Sequence, residues 1–197
     1  MNRKFGKIEN NTLVYAPSVI IDGDKQIITN DKSVYLQYGY KEIMREPYPQ
    51  GEIVYKEHYV ESETTITISW IEDLEATRQR VLGKIAEYDT SDAVNSFTLG
   101  EVETWLNRDD RVCLMHSLEV SASKGETTYG LCIDGVGVVT QPINIIRSML
   151  YDIEVYAIEC YKRTFEHKEA VNALTTCEEL ANYDYTEGYP DKLRFEI

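Results

Sequence analysis

The longest periodic segment of the sequence runs from residue 142 to residue 174 and reads PINIIRSMLYDIEVYAIECYKRTFEHKEAVNAL. Spacings of three and four residues alternate along it. They connect Ile143, Ile146, Leu150, Ile153, Ala157, Cys160, Thr164, His167, Val171 and Leu174. This heptad pattern predicts one long helix, about 48 Å from end to end at 1.5 Å per residue. Pro142 suits the first turn of that helix.

Such a helix is too long for a compact domain of this size to cover completely, so two arrangements are open. In the first, its heptad seam packs against two other predicted helices, one starting at Ile71 and one following Asn107. In the second, part of the seam is an oligomer interface. A homo-oligomer formed through this helix is therefore one candidate assembly.

The segments on either side of the long helix predict an α+β domain over residues 71–197. Ile71, Leu74, Val81, Ile85 and Tyr88 have helical spacing. Asn107 is a candidate N-cap for a second helix that stops at Gly125. Hairpins are predicted around Gly100-Glu101 and Asp134-Gly135, a capping box starts a short helix at Thr176, and residues 192–197 predict an edge strand.

Residues 1–70 predict a small antiparallel β-rich module. Hairpins are expected around Asn10-Asn11 and around residues 22–25, and a further strand pair over residues 53–59 and 64–70. A short helix is expected between them, over residues 31–38. The module holds 8 basic and 10 acidic residues, a net charge of -2, against -12 for residues 71–197. We therefore place a domain boundary near Trp70.

Composition excludes several classes of partner. The 197 residues carry a net charge of -14, which disfavours binding to nucleic acid or to anionic membranes. No apolar stretch is long enough to span a bilayer, which needs about 20 residues. The basic start of the chain is not followed by the apolar run of a signal peptide. We expect a cytoplasmic protein at the time of synthesis.

The sequence contains no recognisable catalytic, metal-binding or cofactor-binding motif, so we predict no catalytic residues, no metal site and no cofactor. The four cysteines form no zinc pattern and are interpreted as reduced core residues. Glu166-His167-Lys168-Glu169 resembles the start of a metalloprotease motif, but Val171 stands where the second histidine belongs. His167 lies on the seam and is therefore predicted to be a partly buried, hydrogen-bonded structural histidine. Cys113 and His116 lie one helical turn apart, without the further ligands that zinc needs.

The sequence has 15 tyrosines beside 4 phenylalanines and 2 tryptophans. Tyrosine joins an apolar face to a polar tip and is favoured in binding surfaces. The N-terminal clusters are a candidate interaction surface made of Tyr35, Tyr38, Tyr40, Tyr48, Tyr55 and Tyr59. Two interpretations are open, a half-exposed strand face or a surface that contacts proteins or sugars.

An ordered set of residues over about 70–197 gives a family resemblance. The set is Tyr88-Asp89-Thr90-Ser91-Asp92-Ala93-Val94-Asn95-Ser96-Phe97-Thr98-Leu99, Trp105-Leu106, Arg111, Met149-Leu150, Glu154, Tyr156-Ala157, Cys160-Tyr161, Thr164, His167, Val171, Leu174, Tyr183-Asp184, Thr186 and Gly188-Tyr189-Pro190. It resembles an uncharacterised family of phage and prophage tail-region proteins, the domain of unknown function 4376. Phe5-Gly6-Lys7 through Ala16-Pro17 and Tyr35-Leu36 through Gly39-Tyr40 resemble the β-rich leader often joined to that domain.

The resemblance implies a bacterial host, a mobile element and a tail or tail-fibre component as protein partner, and it carries over no catalytic residue. Several of its positions are structural candidates. Asp89 and Asp92 are expected to cap backbone groups in their turn, and Gly188 and Pro190 to fix a terminal turn. Trp105, Tyr156 and Tyr161 are candidates for the core or for a subunit interface.

These observations predict a non-enzymatic structural or assembly protein of a phage-type tail that acts through protein–protein contacts. It would be cytoplasmic when made and virion-associated if it stays in the particle. The alternative is a carbohydrate- or receptor-binding module of a tail tip, motivated by the tyrosine clusters. A hydrolase of the cell envelope is a third hypothesis, which rests on context alone.

Overall fold

The computed structural model describes residues 2–133 and 137–196. The protein is α+β, as predicted, and divides into two compact units, Met1–Thr77 (unit 1) and Arg78–Ile197 (unit 2). The division lies within the first turns of a helix, whereas the prediction near Trp70 falls inside a strand that runs to Glu72.

Unit 1 contains a five-stranded sheet, a two-stranded hairpin and a short helix. The elements of unit 1 are β1 (Asn2–Glu9), β2 (Thr12–Ala16), β3 (Ile20–Asp22), β4 (Lys25–Ile27), α1 (Lys32–Gln37), β5 (Lys41–Arg45), β6 (Tyr55–Glu61) and β7 (Thr65–Glu72). The five-stranded sheet has the order β2-β1-β5-β7-β6, and β3 pairs with β4.

The pairings of unit 1 confirm both predicted hairpins and the strand pair β6–β7. Asn10 and Asn11 have φ of 49° and 59°, the left-handed backbone that a tight hairpin turn needs. Strand β5 was not predicted. It pairs antiparallel with β1 and parallel with β7, so one pairing of the module departs from the antiparallel expectation. Strand β6, at the edge of the sheet, connects β5 to β7: the chain leaves β5, forms β6, and returns through β7 in the same direction as β5.

A small core holds the sheet of unit 1 to its hairpin and helix. The rings of Phe5 and Tyr35 stack at 4.4 Å, and Ala16 and Ile20 are buried beside them. The Tyr35 hydroxyl donates to the carbonyl of Thr29 at 2.8 Å. The Tyr35 ring is therefore buried without leaving its hydroxyl group unpaired.

Unit 2 contains the remaining helices and two small sheets. The elements of unit 2 are α2 (Leu74–Asp89, whose first turn belongs to unit 1), β8 (Phe97–Leu99), β9 (Val102–Thr104), α3 (Arg108–Ser123), β10 (Thr128–Ile133), β11 (Gly137–Pro142), α4 (Ile143–Ala173), α5 (Cys177–Ala181) and β12 (Arg194–Phe195). One sheet is the hairpin β10–β11, and the other has the order β12-β8-β9.

Local signals placed several of these elements correctly. The Asn107 side chain accepts from the Asp110 N–H at 3.0 Å, and Thr176 and Glu179 form the predicted capping box. The helix predicted to start at Ile71 starts one turn later, at Leu74, because Ile71 pairs with Lys56 in the β6–β7 ladder. The Asp134-Gly135 turn lies outside the described residues, although the strands on either side of it pair antiparallel.

The heptad seam of α4 forms the centre of unit 2. Its predicted positions are buried except Ala157 and Leu174, which are half-buried. Leu118 of α3 and Leu131 of β10 belong to the same core cluster as Ile146, Leu150 and Ile153. The seam is therefore an internal core, as in the first of the two arrangements, but strand β10 packs on it together with α3. An oligomer interface on α4 would need another face of the helix.

The cysteine prediction was half correct. Cys160 and Cys177 are buried, whereas Cys113 and Cys132 are exposed free thiols. Cys132 points away from the core because it alternates with buried Leu131 and Ile133 along β10. Across residues 2–133 and 137–196, no helix combines the length and the apolar character needed to cross a membrane.

Candidate functional site

An apolar stripe follows the solvent side of α4, opposite the buried seam. Tyr151, Val155, Ile158 and Phe165 are between 55% and 57% exposed, and we call them the outer stripe. Their spacings of four, three and seven residues are those of a second heptad register, in which Lys162 fills the missing position. The outer stripe extends about 21 Å along the helix. Regularly spaced, exposed apolar side chains of this kind are typical of a protein contact.

A line of carboxylates borders one side of the outer stripe. Asp152, Glu159 and Glu166 are exposed and lie seven residues apart, and we call them the acidic line. Glu166 pairs with Arg163 at 3.2 Å within the same helix. Over the part of the chain that the structure describes, neither Asp152 nor Glu159 forms an ion pair with a basic side chain.

On the other side of the outer stripe, charged side chains of α4 form ion pairs with charged side chains of α3. Arg147 lies 2.9 Å from Glu119, and Glu154 lies 2.7 Å from Arg111. Arg111 is buried, donates to the carbonyl of Leu106 at 2.7 Å and lies over the ring of Trp105 at 5.5 Å. The charges that face solvent beside the stripe are therefore concentrated in the acidic line.

A shallow groove continues the outer stripe onto α3. It has a volume of about 180 Å³, and Val112, Met115, Leu150 and Tyr151 line it together with the Arg111–Glu154 pair. Val112 is 62% exposed. The apolar surface available to a partner is thus wider at the Tyr151 end than at the Phe165 end.

Several residues of the family resemblance meet in a buried polar network beside the C-terminal half of α4. The Thr164 hydroxyl donates to Asp89 Oδ1 at 2.6 Å, and the Tyr189 hydroxyl lies 2.9 Å from Thr164 Oγ1. Because the single Thr164 hydrogen is used on the carboxylate, Tyr189 is the donor to Thr164. Burial raises the pKa of Tyr189.

His167 is hydrogen-bonded within the fold, as predicted, but it is fully rather than partly buried. The side chain is 1% exposed, with Nε2 at 2.9 Å from the carbonyl of Glu187 and Nδ1 at 2.8 Å from the Tyr183 hydroxyl. A carbonyl only accepts, so Nε2 carries the proton and neutral Nδ1 accepts from Tyr183. Burial lowers the pKa of His167, which favours this neutral form.

The two aspartates of the predicted capping turn behave differently from expectation. The Asp89 carboxylate reaches Thr164 on α4 and is a tertiary contact. Asp92 is exposed, and its backbone carbonyl accepts from the Ser96 hydroxyl at 2.7 Å. Ser91 caps the turn instead, because its hydroxyl donates to the carbonyl of Tyr88 and accepts from the N–H of Ala93. Serine is as good a capping residue as aspartate, so sequence alone did not separate them.

The remaining structural candidates lie in three environments. Tyr156 is buried, with half-buried Trp105 edge-on to it at 6.2 Å, which places both in the core of unit 2. Tyr161 is 71% exposed and lies near the outer stripe. Gly188 has φ of 79°, and Pro190 follows it half-buried in the segment that packs on α4.

The predicted tyrosine surface of unit 1 divides into two groups. Tyr35 belongs to the core, with 2% of its surface exposed, so its place in an interaction surface was wrong. Tyr38 and Tyr40 are half-buried against the same cluster. The clustering of tyrosines along the sequence could not separate them, because the burial of Tyr35 depends on Phe5, Ala16 and Ile20, which only the fold brings against α1.

The second group is an aromatic cluster on β6 and β7 together with Tyr48 from the loop before β6. Tyr48 is exposed, whereas Tyr55, Tyr59 and Trp70 are half-buried. Tyr48 lies edge-on to Tyr55 at 5.9 Å and to Trp70 at 4.8 Å, with the Arg45 guanidinium 5.4 Å above the Trp70 ring. Arg45 also pairs with Glu57 at 2.6 Å. The Tyr59 hydroxyl donates to the same carboxylate, and this bond together with Arg45 lowers the pKa of Glu57.

The outer stripe was missed at the level of sequence, although its signal was present. Tyr151, Val155, Ile158 and Phe165 follow a heptad register that only Lys162 interrupts. The seam is longer and more regular, and it therefore accounted for the amphipathic character of the helix first. The signal in the sequence is this second apolar register, offset from the seam.

Within residues 2–133 and 137–196, no group of three or more His, Cys, Asp or Glu side chains is arranged to hold a metal ion.

Comparison of the chain with protein-family models, with curated proteins and with solved structures finds no match in any of the three.

Proposed function

We propose that this chain is a non-enzymatic structural or assembly protein of a phage-type tail and that it acts through contacts with other proteins. The observation that carries the proposal is the outer stripe, a regularly spaced apolar surface on the longest helix. The resemblance of residues 70–197 to a tail-region family supplies the biological setting.

The distribution of charge supports a protein as the partner. The acidic line borders the stripe on one side, and ion pairs with α3 close the other side. Protein contacts commonly have an apolar centre with a charged rim, because the rim selects the partner while the centre supplies most of the affinity.

The test is mass spectrometry of particles purified after induction of the host's mobile elements, together with deletion of the coding sequence. We expect this protein at a fixed ratio to the major tail protein, or else defective tails when it is deleted. Normal tails without it, combined with its absence from particles, would contradict the proposal.

The aromatic cluster on β6 and β7 favours a second candidate, a carbohydrate- or receptor-binding module of a tail tip. Tyr48, Tyr55 and Trp70 combine apolar faces with the hydrogen-bonding groups of Arg45 and Glu57, the combination that sugars bind. Binding to an array of host glycans that is lost in Tyr48→Ala and kept in Tyr151→Ala would support it. Absence of binding to every host glycan would count against it.

A further inference from the structure

We infer that the outer stripe and the acidic line together form the docking site for a basic amphipathic helix of a different protein, which lies along α4 as in a two-stranded coiled coil. The inference deepens the proposed function, because it states the chemistry of the partner. It rests on that function for the claim that a partner exists.

The geometry of α4 specifies a helix as the bound element. Tyr151, Ile158 and Phe165 recur every seven residues, and Val155 lies between the first two. This is the arrangement into which the side chains of a second heptad helix insert. The groove beside Val112 and Met115 accepts the part of the partner helix that reaches the Tyr151 end.

The acidic line beside the stripe indicates that the facing surface of the partner is positively charged. Asp152, Glu159 and Glu166 occupy the position that flanks the apolar seam in every heptad, where residues pair with those of the facing helix. Asp152 and Glu159 form no ion pair with basic side chains elsewhere in the described parts of the chain. Because Glu166 already pairs with Arg163, a partner with Lys or Arg at two positions seven residues apart places a cation opposite each of the two unpaired carboxylates.

The same charges disfavour a second copy of this chain, the homo-oligomer considered from the sequence. Two antiparallel copies of α4 would place the acidic line of one copy against the acidic line of the other. Two parallel copies would bring Lys162 against Lys162 in the seam and Glu154 against Glu159 at its edge. The net charge of -14 on each copy adds repulsion at long range.

The test uses the full chain and two synthetic peptides of about three heptads, with Leu and Ile at the seam positions. One peptide has Lys at the flanking positions and the other has Glu. We expect fluorescence anisotropy to show binding of the Lys peptide at least about tenfold tighter than of the Glu peptide, and the difference to shrink as salt is raised.

Matched variants locate the contact. Val155→Asp should weaken binding of the Lys peptide at least about tenfold, whereas Val138→Asp should leave it unchanged. Val138 is also exposed, at 68%, but it lies on β11. Glu159→Lys should weaken the same peptide by about fivefold or more, and Glu126→Lys, at an exposed loop position, should not.

Three results would overturn the inference: equal binding of both peptides, binding of neither, or a homodimer that Val155→Asp dissociates. The fates of the two proposals can be separated. If the protein is present in tails but the peptides do not discriminate, the docking inference fails and the proposed function stands. If tails form normally without the protein and it is absent from particles, the proposed function fails whatever the peptides show.

Discussion

The Thr164 hydroxyl of α4 lies 2.6 Å from the Asp89 carboxylate at the end of α2. This bond connects two helices whose residues are far apart in sequence, and Tyr189 extends it by donating to Thr164 from the segment after α5. Three parts of unit 2 therefore meet at one threonine. A buried bond to a charged acceptor contributes more to stability than a bond between neutral groups.

Thr164→Val should destabilise unit 2. Valine keeps the shape of the side chain but leaves the Asp89 carboxylate and the Tyr189 hydroxyl without their shared partner, a loss of about 1–3 kcal/mol. Urea unfolding followed by circular dichroism measures it. Thr140→Val, at an exposed position on β11, is the control and should change stability by less than about 0.5 kcal/mol. Equal effects of the two substitutions would contradict the role of Thr164.

Ile153→Ala and Ile158→Ala compare the two faces of α4. Ile153 is 0% exposed in the core, so its truncation should cost about 2–5 kcal/mol, the cost of the lost burial and of the cavity left behind. Ile158 is 57% exposed on the outer stripe, and its truncation should cost less than about 1 kcal/mol. Thermal unfolding of both variants measures the difference. Similar costs would mean that the faces are assigned wrongly.

Gly188→Ala and Gly83→Ala should change the free energy of unfolding in opposite directions. Gly188 has φ of 79°, and a Cβ there would lie 2.6 Å from Arg163 Nε. Arg163 would have to give up its bond to the Glu187 carbonyl, so we expect a loss of about 1–2 kcal/mol. Gly83 lies within α2 with open space around it, and alanine should stabilise the helix by about 0.5–1 kcal/mol. The measurement is again urea unfolding, and a neutral Gly188→Ala would refute the close approach.

His167 should make stability depend on pH below about 6.5. Burial holds the pKa of His167 below the ordinary histidine value, so the unfolded chain takes up a proton more readily than the folded one. Stability from this group is therefore complete above about pH 6.5 and falls as the pH drops towards the folded pKa. Neighbouring Asp184 and Glu166 act in the opposite direction, and Arg163 acts in the same direction as burial.

The measurement is the free energy of unfolding between about pH 7.5 and pH 5 for the natural chain and for His167→Gln. The natural chain should lose stability over this range, and the variant should lose less. His116→Gln, at an exposed position of α3, should keep the natural profile. If His167→Gln also keeps it, another group causes the pH dependence.

Elements with strong local signals could be predicted from the sequence. The long helix follows from a heptad repeat kept over its whole length, and the ends of α3 and α5 follow from Asn107 and Thr176. The first hairpin follows from Asn10-Asn11, since asparagine tolerates the positive φ that the turn requires.

Features that depend on distant partners could not be predicted in this way. Strand β5 is short and lacks clear alternation, and it is a strand because β1 and β7 supply hydrogen bonds on both sides. Asp89 was expected to cap its own turn, and only the fold brings Thr164 to it. The outer stripe had a local signal, but whether an apolar face is covered depends on what packs there.

The pairing of β12 with β8 sets an order of events during translation. Arg194 and Phe195 pair with Thr98 and Leu99, and the Phe195 ring covers Phe97 edge-on at 5.6 Å. Every strand of unit 1 leaves the ribosome long before β12 is made. The nascent chain can therefore complete unit 1 while one side of Phe97 still lacks its cover. An uncovered apolar ring beside an unpaired strand edge makes the unfinished polypeptide more prone to aggregation than the completed fold.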